Sequence, residues 1–408
     1  MKVLQINTWF RAGSTGKIVE SLHEHLVSLG VDSYVMFGRG KLSKKDKDSG
    51  KVFKNSSSFE AKTNSVFSRL SGCLYGGCTF STAKALKIIK RIKPDIVHIH
   101  CTNSFIINNY KLFKFLGRRN IKTVFTLHAE YLFTGSCSHS LECNQWKLGC
   151  MKCPRLKEAT RSLLFDTTKK NWKKMYESIS TIKTRNVVAV SRWLKEKASL
   201  SQTFSSDNIF VIHNGINDSL FKYIELETSD FAYLKEGYKR IYLYLTPNFS
   251  DKSSDIKGGD YFLKLTKVFN DNPDILFVVA GGNTHNFDFS LLKNVKYLGN
   301  ISDPKRLAAL YSISDVTLML SRRETFSMVT AESISCGTKV VGFKSGGPES
   351  IAAKDYGVFF EFGDLESLTN YLKNSFKNYK KISTSYYSDK LMAESYYKLY
   401  KELYERKI

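Results

Sequence analysis

Short apolar strands alternating with helical stretches, in two successive series, constrain this chain more than any other feature of its sequence. The first series opens with a strand at residues 2–7 and a Gly13-Ser14-Thr15-Gly16 turn. A helical pattern over residues 17–29 follows, with Ile18, Leu22, Leu26 and Leu29 on one face. Further strands are predicted at residues 33–37, 96–100, 123–127, 186–190 and 209–212, with helices at 83–92, 107–116 and 169–182. A second series resumes after Asn214-Gly215, with strands at 241–246, 275–280, 316–320 and 339–343 and helices at 261–269, 307–311 and 326–335. Parallel strands need a crossover between them, and helices on both faces bury them completely, so they read as unbroken apolar runs. The expected class is therefore α/β, with two doubly wound, Rossmann-like domains at residues 1–215 and 216–384 facing a cleft. A helix at residues 385–408 is expected to cross back onto the first domain. The basic stretch 41–58 has no clear period and reads as a mobile loop.

The 408 residues suit two domains, since single cores stop growing at roughly 250–300 residues. Lys and Arg number 62 against 38 Asp and Glu, a formal charge of +24. Such an excess favours anionic partners, namely nucleic acid, an anionic membrane surface or phosphorylated ligands. The basic residues are spread along the chain and no nucleic-acid motif is present, so nucleic acid is not the expected partner. No apolar run approaches the ~18 residues of a membrane span. The N-terminal residues read as a strand and not as a signal peptide, which points to the cytoplasm.

In doubly wound sheets, ligands bind beyond the carboxyl ends of the strands. Candidates there include Gly13 to Gly16, His100, His128, Thr246 to Asn248, Gly281 to Asn283, Ser321 to Glu324 and Ser345 to Glu349. The richest segment is Ser321-Arg322-Arg323-Glu324-Thr325-Phe326-Ser327-Met328-Val329-Thr330-Ala331-Glu332. A strand ends there, a carboxylate occupies the turn, and the free amides of the next helix favour a phosphate or sugar oxygen. Glu332 lies where an acidic residue of such folds accepts bonds from ribose hydroxyls. Taken singly, Glu324 is equally a helix cap and Glu332 a solvated glutamate. Lys257, in a loop after a strand, offers a point charge for a diphosphate. Gly13 and Gly16 let backbone approach an anion, although the full P-loop spacing is absent. Asp46-Lys47-Asp48 falls in the basic loop, a poor cage for a catalytic metal.

These residues together resemble glycosyltransferase family 4, of GT-B fold. The family's donor signature is Glu, seven residues, Glu, which is the spacing of Glu324 and Glu332. Cys336-Gly337-Thr338-Lys339-Val340-Val341-Gly342 and Gly346-Gly347-Pro348-Glu349 are similar to its neighbouring turns. The resemblance implies that Glu324, Thr325, Phe326 and Ser327 meet the donor sugar, that Glu332 meets the ribose, and that His128 stands near the reacting sugar. It places the Gly13–Gly16 loop beside donor phosphate or acceptor. It also implies a retaining reaction in which the leaving phosphate takes the acceptor proton, with no cofactor required for catalysis. Relatives often add an arginine a few residues before the lysine; Thr246-Pro247-Asn248 has none, which leaves Lys252 or Arg322 as substitutes. The implied reaction moves a sugar from a nucleotide diphosphate donor to a lipid-linked saccharide acceptor in bacterial surface polysaccharide synthesis (O-antigen, colanic-acid-type or other). The expected location is the inner face of the cell membrane. The rival readings are a GT-B sugar-nucleotide epimerase, a phosphorylase lacking a recognisable pyridoxal lysine, and a basic nucleic-acid binder.

Eight cysteines occur, and four of them, Cys137, Cys143, Cys150 and Cys153, form C-x5-C-x6-C-x2-C inside an insert at residues 134–156. Four thiols at this spacing are compatible with a tetrahedral structural zinc site, with free thiols, or with disulfides in an oxidising compartment. Four thiolates would leave no open position for catalysis.

Overall fold

Every ladder among the described residues is parallel, which obliges each strand to be followed by a crossover. The structure, a computed structural model, describes residues 1–406 apart from 226–228, 353–354, 377–378 and 380. It divides into one unit of Met1–Gly215 with Asp389–Ile408 and a second of Ile216–Ser388.

The first unit runs β1 (Lys2–Trp9), α1 (Gly13–Ser28), β2 (Asp32–Arg39), α2 (Lys44–Ser49), β3 (Val52–Lys54), α3 (Ser58–Ser71), α4 (Thr79–Ile92) and β4 (Ile96–Ile99). It continues with α5 (Asn109–Arg118), β5 (Lys122–Leu127), α6 (Thr168–Ser180), β6 (Arg185–Ala189), α7 (Arg192–Ser199) and β7 (Ile209–Val211). Its seven strands lie in the order β3-β2-β1-β4-β5-β6-β7. The order reverses between β1 and β4, where Leu4 pairs with Val97 and Ile6 with Ile99. Every residue of β4 is buried, as a strand covered on both faces must be.

The stretch 41–58 is not a loop: it carries α2 and β3. Asp46 is buried there, held by Arg11 Nη1 at 2.6 Å and by Ser43. A six-residue helix and a three-residue strand are too short to show a period. Likewise α3 gives no inward stripe, because only Ala61 and Ser68 are buried on it while Phe59, Val66, Phe67 and Leu70 face solvent.

The second unit comprises β8 (Arg240–Asn248), α8 (Gly259–Val268), β9 (Ile275–Gly282), β10 (Val295–Tyr297), α9 (Pro304–Ile313), β11 (Val316–Met319) and α10 (Met328–Ser335). Then come β12 (Lys339–Phe343), α11 (Gly347–Ile351), β13 (Gly357–Phe360) and α12 (Leu365–Asn370). The strand order β10-β9-β8-β11-β12-β13 repeats the winding of the first unit, with its reversal between β8 and β11. One face packs an aromatic cluster in which Tyr244 stacks on Phe262 at 4.9 Å and Phe249 meets Phe289 at 4.8 Å. Both domains are thus Rossmann-like.

The last helix, α13 (Asp389–Glu405), belongs to the first unit. Asp389 accepts from Ser21 Oγ on α1 at 2.8 Å. Tyr396 and Tyr400, both buried, reach Thr126 Oγ1 (2.8 Å) and His98 Nδ1 (2.5 Å). Among the described residues no helix is long and apolar enough to cross a membrane.

Candidate functional site

In the second unit the carboxyl ends of β8 and β9 open onto a pocket of about 180 Å³. Leu245, Thr246 and Pro247 from β8 form one side, Ala280 and Gly281 from β9 another, and Leu307, Tyr311, Val329 and Glu332 from α9 and α10 a third, with Asn300 and Ile301 of the loop before α9 closing the rim. Gly281 has a φ of +142°, and a Cβ there would stand 1.8 Å from the Thr246 carbonyl oxygen, so only glycine lets the strand ends close this wall. Glu332 accepts a hydrogen bond from the Tyr311 hydroxyl at 2.9 Å. Burial, then the adjacent carboxylate, pushes the Tyr311 phenol well above its ordinary range, so it remains a donor. A carboxylate oriented by a buried phenol at the wall of a largely apolar pocket is suited to a hydroxylated ligand with one flat apolar face.

Glu324 and Lys257 meet at the β8–β11 reversal. Lys257 Nζ lies 2.6 Å from Glu324 Oε1. The Arg322 N–H donates to the Ile256 carbonyl at 2.8 Å, which ties the lysine loop to the end of β11. Glu324 is fixed from its other side, since its N–H donates to Ser345 O (2.9 Å) and its carbonyl accepts from Gly347 N (2.8 Å). Glu349 holds that second turn by accepting from the Ser345 and Gly346 amides at 3.0 and 2.7 Å. Lysine and glutamate therefore form an ion pair, so any anionic ligand of the ammonium has Glu324 as its competitor. Of the two candidate substitutes for the missing arginine, Arg322 lies 5.7 Å over the Phe362 ring and Lys252 is exposed.

Between these two groups runs the turn into α10, which begins at Met328 and not at residue 326. Ser327 caps it, accepting from Thr330 N at 3.1 Å with φ at +79°. That conformation costs a non-glycine residue about 1–3 kcal/mol. Strain of this kind ends the apolar run early, and helical periodicity alone overshot it by two residues. The free amides of α10 thus start beyond Ser327, and the Phe326 side chain is buried against Tyr387, 5.8 Å away, so it supports the turn from below. From Met328 to Glu332 the helix rises about 6 Å, so pocket and ion pair flank one short helix start.

The first unit holds the other expected residues. His128 follows β5, and its Nε2 lies 3.1 Å from His100 Nδ1. His100 Nε2 in turn faces Gln5 Oε1 at 3.3 Å. An amide oxygen only accepts, so His100 carries its hydrogen on Nε2, and His128 donates from its own Nε2, leaving Nδ1 with the lone pair. Burial lowers the His128 pKa to about 4. Burial first, and the neighbouring imidazoles second, put His98 and His100 well below their ordinary value. The ladder is neutral at neutral pH. Gly13 and Gly16 lie inside α1, which starts at Gly13 and lacks a side-chain cap. A Cβ on Gly16 would press on Trp9 at 3.2 Å, so the packing of α1 against the end of β1 already favours a glycine there. Cys137, Cys143, Cys150 and Cys153 line one small cavity and are free. Two polar residues of the pocket escaped sequence reasoning: Tyr311, whose partner lies 21 positions away, and Asn300, in a loop with no pattern.

Comparison with known proteins agrees with this architecture. Residues 15–220 match the family model described as Glycosyltransferase Family 4, and residues 249–387 match Glycosyl transferases group 1. WcaC of Escherichia coli strain K12, provisionally assigned as a colanic acid biosynthesis glycosyl transferase, is 21% identical over 99% of this chain and 100% of its own. A glycosyltransferase structure from Rickettsia africae superposes with a TM-score of 0.66 at 19% identity, covering 100% of this chain and 99% of that one. The Anabaena protein Alr3699/HepE, solved with UDP-glucose, gives 0.60 at 14% identity over 99% and 98%. The fold and the family matches define a glycosyltransferase of the GT-B kind. Within that class, the chain belongs to glycosyltransferase family 4.

Proposed function

We propose that the protein is a retaining glycosyltransferase that moves a sugar from a nucleoside diphosphate donor to a lipid-linked saccharide in bacterial surface polysaccharide synthesis. The observation that carries the donor half is the 180 Å³ pocket with Glu332 in its wall, one helix start away from the Lys257–Glu324 pair. The nucleoside enters the pocket and its ribose hydroxyls donate to Glu332. The diphosphate takes Lys257 and the α10 amides, an electrostatic arrangement that favours the departing phosphate. Glu324, Thr325 and the Ser327 turn are assigned to the sugar, with His128 as a neutral hydrogen-bonding group near the reacting carbon. The leaving phosphate accepts the acceptor's proton, so no protein nucleophile takes part.

The lipid half draws support from the surface around α3. Phe59, Val66, Phe67 and Leu70 are exposed there beside Lys62 and Arg69. The Leu163 amide bonds the Arg69 carbonyl at 2.8 Å, bringing exposed Leu163, Leu164 and Phe165 to the same edge. Apolar side chains among basic ones suit the interface of an anionic bilayer. Two measurements test the reading. Calorimetric titration with UDP, GDP and TDP should give binding to at least one that is lost in Glu332→Ala. Sedimentation with phosphatidylglycerol vesicles at low salt should recover the protein, and Phe59→Ser with Phe67→Ser should release it. Absence of binding to any nucleotide sinks the first half, and equal partition of the variant sinks the second. Nucleotide-sugar turnover without an acceptor would favour the epimerase.

A further inference from the structure

The insert between β5 and α6 contains a site that the donor chemistry leaves unused. Cys137, Cys143, Cys150 and Cys153 come from separate turns, yet all four line one cavity of about 20 Å³. That is room for a single water-sized occupant. None is disulfide-bonded. Among the described residues no three Cys, His, Asp or Glu side chains are already gathered closely enough to hold a metal ion, so the sulfurs surround the space without converging on it.

The backbone around them is arranged for charged sulfur. The Gly135 N–H donates to Cys150 Sγ at 3.0 Å. The Arg155 backbone hydrogen-bonds Cys153, and the Thr134 hydroxyl fixes the turn by donating to the Cys137 carbonyl at 2.8 Å. A neutral thiol is a weak acceptor, so a peptide N–H aimed at sulfur has its full value only when that sulfur is a thiolate. The Gly135 donor comes this close because it lacks a side chain: a Cβ there would stand 2.7 Å from Cys150 Cβ and 2.8 Å from the Thr168 carbonyl oxygen. Arg155 lines the same cavity, and its guanidinium offsets negative charge on Cys153.

We propose that the insert is a structural zinc site in which Cys137, Cys143, Cys150 and Cys153 bind one Zn²⁺ as four thiolates. Each S–H bond breaks as a Zn–S bond forms, and the four protons leave to solvent. Side-chain rotation draws the sulfurs to the ~2.3 Å of a Zn–S bond, and four thiolates fill the tetrahedron, so no position stays open for catalysis. The metal fixes the segment that follows His128, where fully buried Glu130 takes the Ser140 amide at 2.8 Å and the Lys197 ammonium at 3.0 Å.

Metal analysis of the full chain, purified without chelator, tests this apart from any turnover. One zinc per chain is expected, released in full by a thiol-blocking mercurial. Cobalt exchanged into the site should give the intense visible bands and sulfur-to-metal charge transfer of a tetrahedral thiolate centre. Cys150→Ser with Cys153→Ser should lose the zinc, and Cys73→Ser, outside the insert, should keep it. If the double variant fails to fold, metal content and the cobalt spectrum of the unaltered protein decide the matter alone. A metal-free protein that takes up no cobalt, iron in place of zinc, or unchanged zinc in a folded double variant would each overturn the proposal.

Discussion

Replacing Lys257 by methionine separates two roles that one ammonium holds. In the free protein it lies 2.6 Å from Glu324 Oε1, with the two side chains 30% and 19% exposed. A fully exposed pair contributes about 0–1 kcal/mol to stability. Breaking a fully buried one costs about 3–5 kcal/mol. This pair is half-sheltered, so Lys257→Met should cost the fold about 1–2 kcal/mol, between those bounds. Binding should respond more strongly, because a hydrogen bond to a charged group contributes about 1.5–3 kcal/mol. That range is a loss of roughly 10- to 150-fold in affinity. The loss must fall on the diphosphate alone. Calorimetric titration of UDP and of uridine into both proteins at fixed salt reads the difference. UDP should weaken by that factor and uridine by less than about twofold, under 0.5 kcal/mol. Glu324→Gln removes the competitor for the ammonium and should bind UDP at least as well as the parent while transferring sugar poorly. Equal weakening of uridine and UDP in Lys257→Met, or unchanged UDP affinity in a folded variant, would refute the assignment of this lysine to phosphate.

Three further outcomes follow from the geometry. Tyr311→Phe and Glu332→Ala form a double-mutant cycle, and thermal melts should give a coupling of about 0.5–3 kcal/mol, with zero coupling meaning that the 2.9 Å bond contributes nothing. Gly281→Ala places a Cβ 1.8 Å from a carbonyl oxygen at φ +142°, so urea unfolding should show a loss above about 1 kcal/mol and nucleotide binding should weaken. Acid should destabilise the first unit in a defined window. His128 titrates at about 4 in the fold and near 6.5 unfolded. Between those values the unfolded chain binds more protons, so stability is full above about pH 6.5 and falls as pH drops towards 4. His128→Gln should show a shallower slope over that window in urea titrations, whatever its stability at neutral pH, and an unchanged slope would remove this histidine from the account.

The winding of both sheets was legible because buried parallel strands are unbroken apolar runs, as in Ile275-Leu276-Phe277-Val278-Val279-Ala280. Glu324 and Glu332 were legible through spacing and their place after a strand. Short elements were not: α2 and β3 sit in a stretch whose charges hide them, since Asp46 turns inward to Arg11 and no period reveals that. The start of α10 was misread because Ser327 adopts a left-handed backbone that residue type does not announce. Partnerships across the chain were invisible for a related reason. Nothing in the neighbourhood of Lys257 says that its ammonium is already taken, and nothing near Glu332 names Tyr311.

The return of α13 to the first unit has a consequence for synthesis. Gly215 N bonds Met392 Sδ at 3.0 Å, and His98 and Thr126, near the ends of two central strands, take their phenol partners from Tyr400 and Tyr396. Those tyrosines follow the whole second domain in the chain. Chains usually complete domains in the order they are made, but here His98 and Thr126 of the first sheet cannot gain their phenol partners until the second domain has been translated and α13 after it. The nascent first domain therefore stays incomplete while the second is made, and is completed only once α13 follows it.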